Sequence, residues 1–154
     1  MRQVTIEAHV PGAGADAVFD KLTDFARYPD FTDAVREVSV RPAADGGLDS
    51  DWAVNFRNGI LRWSEHDVID PVGQTIAFTQ TAGDFERFDG SWWVIQVDDG
   101  VVVRFEAAFD LGMPSLAPII DPIAEHALVE NIQRILRGLL DPRTTFPALA
   151  GAEA

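Results

Sequence analysis

At 154 residues, 47% of them apolar, the chain is long enough to bury the core of one domain and too hydrophobic to be disordered. Asp and Glu outnumber Lys and Arg by 25 to 12, a net charge of −13 that argues against nucleic acid and anionic membrane surfaces as partners. The absence of cysteine removes disulfides, thiolate metal sites and a Cys nucleophile. No apolar run approaches the roughly 20 residues of a membrane span, and the first residues lack a signal peptide's apolar stretch, so the expected location is cytoplasmic.

Val4, Ile6, Ala8 and Val10 alternate with Thr5, Glu7 and His9, the pattern of a half-buried first strand that Pro11-Gly12 ends. Val18, Phe19, Leu22 and Phe25 fall on one stripe of a helix. Tyr28-Pro29-Asp30-Phe31 breaks it before a second short helical turn. Val38 and Val40 open the next strand, which Pro42 and the Asp45-Gly46-Gly47 turn end. Asn58-Gly59 between two alternating runs predicts a two-residue type I′ hairpin. That turn sets Arg57 opposite Ile60, Phe56 opposite Leu61, Val54 opposite Trp63 and Trp52 opposite Glu65. Trp52, Val54, Phe56, Leu61 and Trp63 then point inward, and Asp51, Asn55, Arg57, Arg62 and His66 outward.

Farther on, Ile76 and Phe78 share a face with Gln80, and Ser91 to Val97 is apolar on both faces. Val101, Val103, Phe105, Ala107, Phe109 and Leu111 alternate with Arg104, Glu106 and Asp110 in the last strand. Pro114 and Pro118 space the chain before a final helix, where Ile120, Ala124, Leu128, Ile132, Ile135 and Leu139 recur at helical spacing between Leu116 and Leu140. Pro142 and Pro147 mark a loose tail. With no repeat and no internal boundary, the expectation is one domain over residues 1–141 and a C-terminal tail over 142–154. The layout is α+β: a curved antiparallel sheet of six or seven strands wrapped around the C-terminal helix, with two short helices between Ala13 and Asp33. A sheet cannot close tightly on a single helix, so a cavity is expected between them.

This order of elements resembles the START-like (SRPBCC, helix-grip) superfamily over roughly Val4 to Leu140. The residues that carry the resemblance are Val18-Phe19-Asp20 with Tyr28-Pro29, Trp63-Ser64-Glu65-His66, Gly83-Asp84-Phe85 leading to Gly90-Ser91-Trp92, Arg104-Phe105 with Phe109-Asp110, and Glu130-Asn131-Ile132. Within the superfamily the chain looks most like polyketide aromatase/cyclases and coenzyme Q-binding proteins. The resemblance implies a pocket lined by Tyr28, Phe31, Trp63, Trp92, Phe105 and Asn131, no cofactor, a small hydrophobic or aromatic ligand, and an acyl carrier protein as a partner of the cyclase reading. Two positions depart from the cyclase pattern. Gly59 stands at or next to the position of a pocket arginine, and an aliphatic stretch around Ala34-Val35 replaces a pocket tyrosine.

Glu65 is the sharpest candidate for chemistry. On the inward face among Trp52 and Trp63, its carboxyl would have a raised pKa and act as acid or base near neutral pH. The competing reading places it at a solvated rim, with Asp67 two residues on. Asn131 lies about 60° from the centre of the final helix's apolar stripe at 100° per residue, where its amide either holds a ligand carbonyl or bonds a neighbouring strand. Trp52, Phe56, Phe78 and Gln80 complete the expected lining. Arg57 could swing over the cavity mouth in place of the missing arginine. Alternation with Ile95 and Val97 turns Trp93 inward and the resemblance turns Trp92 inward; the expectation follows the resemblance. His126 falls on the polar side of its helix, His9 and His66 on outward faces, with an Asp51–His66 cross-strand pair. Three scattered histidines predict no metal site.

Two functions of different classes fit. One is a polyketide cyclase that closes a ring by an intramolecular aldol and dehydration, with Glu65 as acid/base, Asn131 as carbonyl donor and the aromatics as template. The other is a non-catalytic carrier of a quinone, lipid or aromatic ligand. Which side of the sheet Glu65 occupies discriminates them. One lysine against eleven arginines suits a GC-rich bacterium, a host type that makes aromatic antibiotics.

Overall fold

The computed structural model describes residues 2–56, 59–112 and 115–147, apart from the side chain of Ala117. Strand β1 (Arg2–Pro11) is followed by α1 (Ala15–Thr23), a 3-10 turn (Phe25–Arg27) and α2 (Tyr28–Phe31). Six strands come next: β2 (Val35–Pro42), β3 (Leu48–Phe56), β4 (Gly59–Asp70), β5 (Thr75–Gly83), β6 (Arg87–Val97) and β7 (Gly100–Asp110). Helix α3 (Ala117–Leu139) closes the fold. All neighbouring strands are antiparallel, in the order β1-β7-β6-β5-β4-β3-β2. This is the expected helix grip. The inward rows of the sheet, among them Val4, Ile6, Val103, Phe105 and Phe109, pack toward Ala124, Ile132, Ile135, Leu136 and Leu139 of α3 in one core.

The alternation places the inward faces where the sequence puts them, but the hairpin register differs. Phe56 pairs with Gly59, Val54 with Leu61, Trp52 with Trp63 and Ser50 with Glu65. The pairing is shifted by two residues from the one that an Asn58-Gly59 turn would set; Arg57 and Asn58 lie between the paired Phe56 and Gly59. Both of these, with the expected turn conformation and the expected role of Arg57, lie outside the described residues. A two-residue slip keeps every side chain on its face, so the apolar pattern cannot distinguish the two registers. Side-chain pairing can. Trp52 and Trp63 now stack with centroids 6.0 Å apart and planes within 5°, and aromatic cross-strand pairs of this kind are worth about 0.2–1 kcal/mol each.

Three further details depart from expectation. Pro118 sits in the first turn of α3, where its missing N–H is harmless, rather than ahead of the helix; Pro114 lies outside the described residues. The tail does not hang loose through Phe146. The His9 and Thr145 amides each donate to the other's carbonyl at 2.8 and 3.0 Å, Thr144 is buried, and the Arg137 guanidinium lies 4.7 Å over the Phe146 ring. In β6, Trp92 and Val94 are buried while Ile95 is exposed. Trp92 is therefore the inward tryptophan, and alternation counted from Ile95 misleads.

Gly90 lets β6 pass close to its neighbours. A Cβ there would sit 2.1 Å from the Glu106 carbonyl oxygen and 2.9 Å from Cζ of Phe78. Because the first of these is backbone, it cannot move aside cheaply. Gly90→Ala is expected to lower stability by about 1–3 kcal/mol, the usual range for overpacking. Urea unfolding of the two proteins checks this, and equal midpoints would contradict it.

Candidate functional site

Between the sheet and α3 lies a cavity of about 70 Å³. Its walls are aromatic and aliphatic. Trp52, Phe56, Trp63, Phe78, Trp92 and Phe105 from the sheet, Tyr28 from α2 and Asn131 from α3 all line it, as the sequence predicts. The rings support one another. Phe105 lies 4.5 Å from Trp92 and stacks with Phe78 at 5.9 Å, and Trp52 meets Phe25 and Tyr28 edge-on at 5.5 and 5.3 Å. Phe25, Phe85 and Phe88 are lining residues that the sequence reading overlooked.

Two expected lining residues are elsewhere. Phe31 is 47% exposed, with the Arg27 guanidinium 5.3 Å over its ring. It ends a four-residue helix and turns away from the sheet. Gln80 is half-buried outside the cavity wall, its amide nitrogen donating to the Phe85 carbonyl at 2.9 Å. Gln80 keeps the face of Ile76 and Phe78, as the sequence predicts, and pairs with Glu65; the register shift falls just beyond it, at Thr81.

Glu65 lines the cavity and is 6% exposed. The rim alternative is overturned, and so is the support that Asp67 lent it. Asp67 is 0% exposed and lines the same cavity, while Val68 beside it is 51% exposed. The carboxylate is inside and the valine outside because inward positions in β4 run Leu61, Trp63, Glu65, Asp67.

These groups form a chain of hydrogen bonds. The Trp63 indole N–H donates to Glu65 Oε1 at 2.7 Å. The Ser50 hydroxyl donates to Asp67 Oδ2 at 2.6 Å, and the Trp52 indole N–H donates to Ser50 Oγ at 2.8 Å. Ser50, 0% exposed, is the third member that the sequence reading missed. Counting back from Trp52 by two would have found it. Burial pushes the Glu65 carboxyl well above the usual carboxylate range; the hydrogen bond and negative charge of Asp67 add to this, and the Trp63 N–H opposes it. Tyr28 is raised too, first by burial and then by Glu65 and Asp67. Its hydroxyl is committed to the Leu22 carbonyl at 2.5 Å, so it holds the wall together.

Of the two expected readings of Asn131, the bond to a neighbouring strand is the one seen. Asn131 lines the cavity, and its amide nitrogen donates to the Asn55 carbonyl at 2.6 Å. One amide hydrogen is thus spent on β3, which leaves the second hydrogen and the carbonyl oxygen for a ligand. His66 lies on the outer face, but its partners are Asp49 and Asp45 at 3.0 and 2.8 Å. The slipped register sets Asp49, not Asp51, opposite it. His126 pairs with Glu130 at the surface and His9 with Asp99.

The raised Glu65 carboxyl makes stability fall as pH rises. Above the ordinary glutamate value of 4.5 an unfolded chain has released this proton while the folded chain keeps it, so the folded state loses ground with each further rise in pH until it too ionises. Glu65→Gln carries no such proton. The stability of the natural protein minus that of Glu65→Gln is therefore expected to decrease between pH 5 and pH 8 in urea melts; a constant difference would contradict the assignment.

A family model described as "Polyketide cyclase / dehydrase and lipid transport" matches residues 12–136. Among solved structures, a protein from Thermus thermophilus superposes with a TM-score of 0.81 at 22% identity, over 90% of this chain and 94% of that one. The Zhui aromatase/cyclase from Streptomyces sp. R1128 superposes with a TM-score of 0.72 at 19% identity, over 92% and 93%. A START superfamily protein from Mycobacterium smegmatis gives 0.74 at 16% identity, over 92% and 97%. No curated protein matches the chain. Likenesses at these identities speak to the fold.

Proposed function

Because the chain belongs to the family of polyketide cyclases/dehydrases and lipid-transport proteins, we propose that it is a cyclase/dehydratase that folds a reactive poly-β-carbonyl chain in its cavity and closes a ring. The observation that carries this reading is the buried carboxyl of Glu65 among aromatic walls, beside a second buried carboxyl. Burying such groups costs several kcal/mol each even after relaxation, a cost for which a carrier of an apolar ring has no use. A proton-transfer enzyme does.

The reaction needs few groups. An acidic α-proton leaves to a base, the enolate attacks a carbonyl of the same chain, and the new alkoxide is protonated; loss of water then gives the conjugated ring. Positioning alone can supply roughly 7–11 kcal/mol in a well-oriented intramolecular reaction, and the aromatic walls provide it. Glu65 would move the proton. The free amide hydrogen of Asn131 would hold the carbonyl oxygen, and Trp52, Trp63, Phe78, Trp92 and Phe105 would template the chain. An acyl carrier protein would deliver it, in the cytoplasm of a bacterium that makes aromatic secondary metabolites.

The test is reconstitution with a minimal polyketide synthase that releases an unreduced poly-β-keto chain. With this protein present, one cyclised product is expected to dominate. A product mixture identical to that of the synthase alone would refute the cyclase reading and favour a carrier.

A further inference from the structure

Resting on this reading for its chemistry, though not for its structure, a further property follows from the hydrogen-bond inventory of the cavity. Consider both carboxyls ionised. Asp67 Oδ2 accepts from Ser50 and Glu65 Oε1 accepts from Trp63. Asp67 Oδ1 is buried with no partner, and Glu65 stands two residues before it on the same inward row of β4, lining the same cavity. An orphaned buried acceptor is destabilising, and more so when charged. No cation relieves it, for the described lining has no Lys, Arg or His. The groups that face Glu65 are Asp67 on its own strand, Ser50 on β3, Gln80 on β5, Tyr28 on α2 and Asn131 lining from α3. Of these, Asp67 and Tyr28 are titratable, and the Tyr28 proton is held by the Leu22 carbonyl.

One proton gives Asp67 Oδ1 its partner; the other buried orphan among the described residues, Gln80 Oε1, sits on the residue that pairs with Glu65 from β5. Placed on Glu65 it donates to Asp67 Oδ1, and every polar atom from Trp52 through Ser50, Asp67 and Glu65 to Trp63 then has a partner. Placed on Asp67 it would leave the charge on Glu65, away from the Ser50 hydroxyl that donates to Asp67 Oδ2 at 2.6 Å. We propose that Glu65 and Asp67 form a carboxyl pair holding a single proton, with the proton on Glu65 and the charge on Asp67, and that Ser50 and Trp52 are positioning residues that fix this assignment.

The pair makes Glu65 an acid in its resting state, and the step it serves first is dehydration. Glu65 gives its proton to the leaving hydroxyl of a β-hydroxy ketone as the C–O bond breaks. The α-proton passes back to the Glu65 carboxylate as the C=C bond forms, and water departs. Substrate loses the elements of water, and the pair ends with one proton, as it began.

Infrared spectroscopy reads the protonated acid without turnover. At pH 7 the natural protein is expected to show one buried carboxylic acid C=O band, and Glu65→Gln to lack it. The glutamine amide keeps the shape and can still donate to Asp67. Asp67→Asn is also expected to lack the band, because the asparagine amide donates to Glu65 and stabilises it ionised. Ser50→Ala should keep the band and move its disappearance to higher pH, since the charge on Asp67 loses its donor; an unmoved profile removes the positioning role. No band in the natural protein, or a band that survives in Glu65→Gln or in Asp67→Asn, overturns the pair. Should a variant fail to fold, carbon-13 carboxyl NMR of the natural protein decides, with one protonated and one ionised cavity carboxyl expected at pH 7 and two of the same kind refuting the pair. A band that behaves as stated beside unaltered cyclisation in Glu65→Gln would uphold the pair and sink the enzyme reading. A missing band beside lost cyclisation would do the reverse.

Discussion

Glu65→Gln is expected to lower the rate at which the dehydrated ring forms by about 10²–10⁴-fold, the usual cost of removing one positioned acid/base, with fold and ligand binding kept. The substitution changes little else. Gln can accept the Trp63 N–H through its oxygen and donate toward Asp67 through its nitrogen, so the hydrogen-bond chain that ends at Trp63 and Trp52 stays closed. Only the transferable proton is gone. The measurement is product formation in the reconstituted synthase, beside quenching of tryptophan fluorescence by a hydroxynaphthoquinone as a binding probe. Unchanged rate with unchanged binding would leave the carboxyl as a structural group.

Phe105→Ala has the largest expected effect on stability. The ring is 2% exposed and forms the floor of the cavity against Trp92 and Phe78. Removing it deletes apolar contact and leaves a void that β7, locked between β1 and β6, cannot collapse to fill. Phe→Ala in a core typically costs about 3–5 kcal/mol, which at about 2–4 °C per kcal/mol lowers Tm by roughly 6–20 °C. Against a total of about 5–15 kcal/mol for a domain, this is a large fraction. Calorimetry checks it. A fall in Tm below about 3 °C, converted on the same scale, would mean that the cavity wall reorganises around the missing ring.

The elements that position the site are legible in the sequence because they rest on periodicity. Period-two alternation identifies the inward rows of β3, β4 and β7, and the helical stripe identifies the face of α3. What escapes is whatever periodicity leaves degenerate. The β3–β4 register can slip by two residues with no change of face, so pairing Trp52 with Trp63 rather than Glu65 needed side-chain packing to decide. In β6 both faces are apolar, and only the buried Phe88, Trp92 and Val94 show which row is inside. Glu65 was found and Asp67 misread for one reason: hydrophobicity suggested that the strand was leaving the core, whereas alternation kept it there. Phe31 failed because a helix end breaks the local period where it sits, whereas Gln80 keeps its predicted face and gives its amide to the Phe85 carbonyl instead of lining the cavity.

Native mass spectrometry of the natural protein and of Glu65→Gln, each purified from the chain's own host, tests the central claim most directly. The natural protein is expected to carry, or to release on denaturation, a cyclised polyketide-sized aromatic compound. Glu65→Gln is expected to retain a related species heavier by one or more waters, the chain caught before dehydration. The same compound in both proteins, or a quinone or lipid in both, would contradict a cavity that moves protons and would make this chain a carrier.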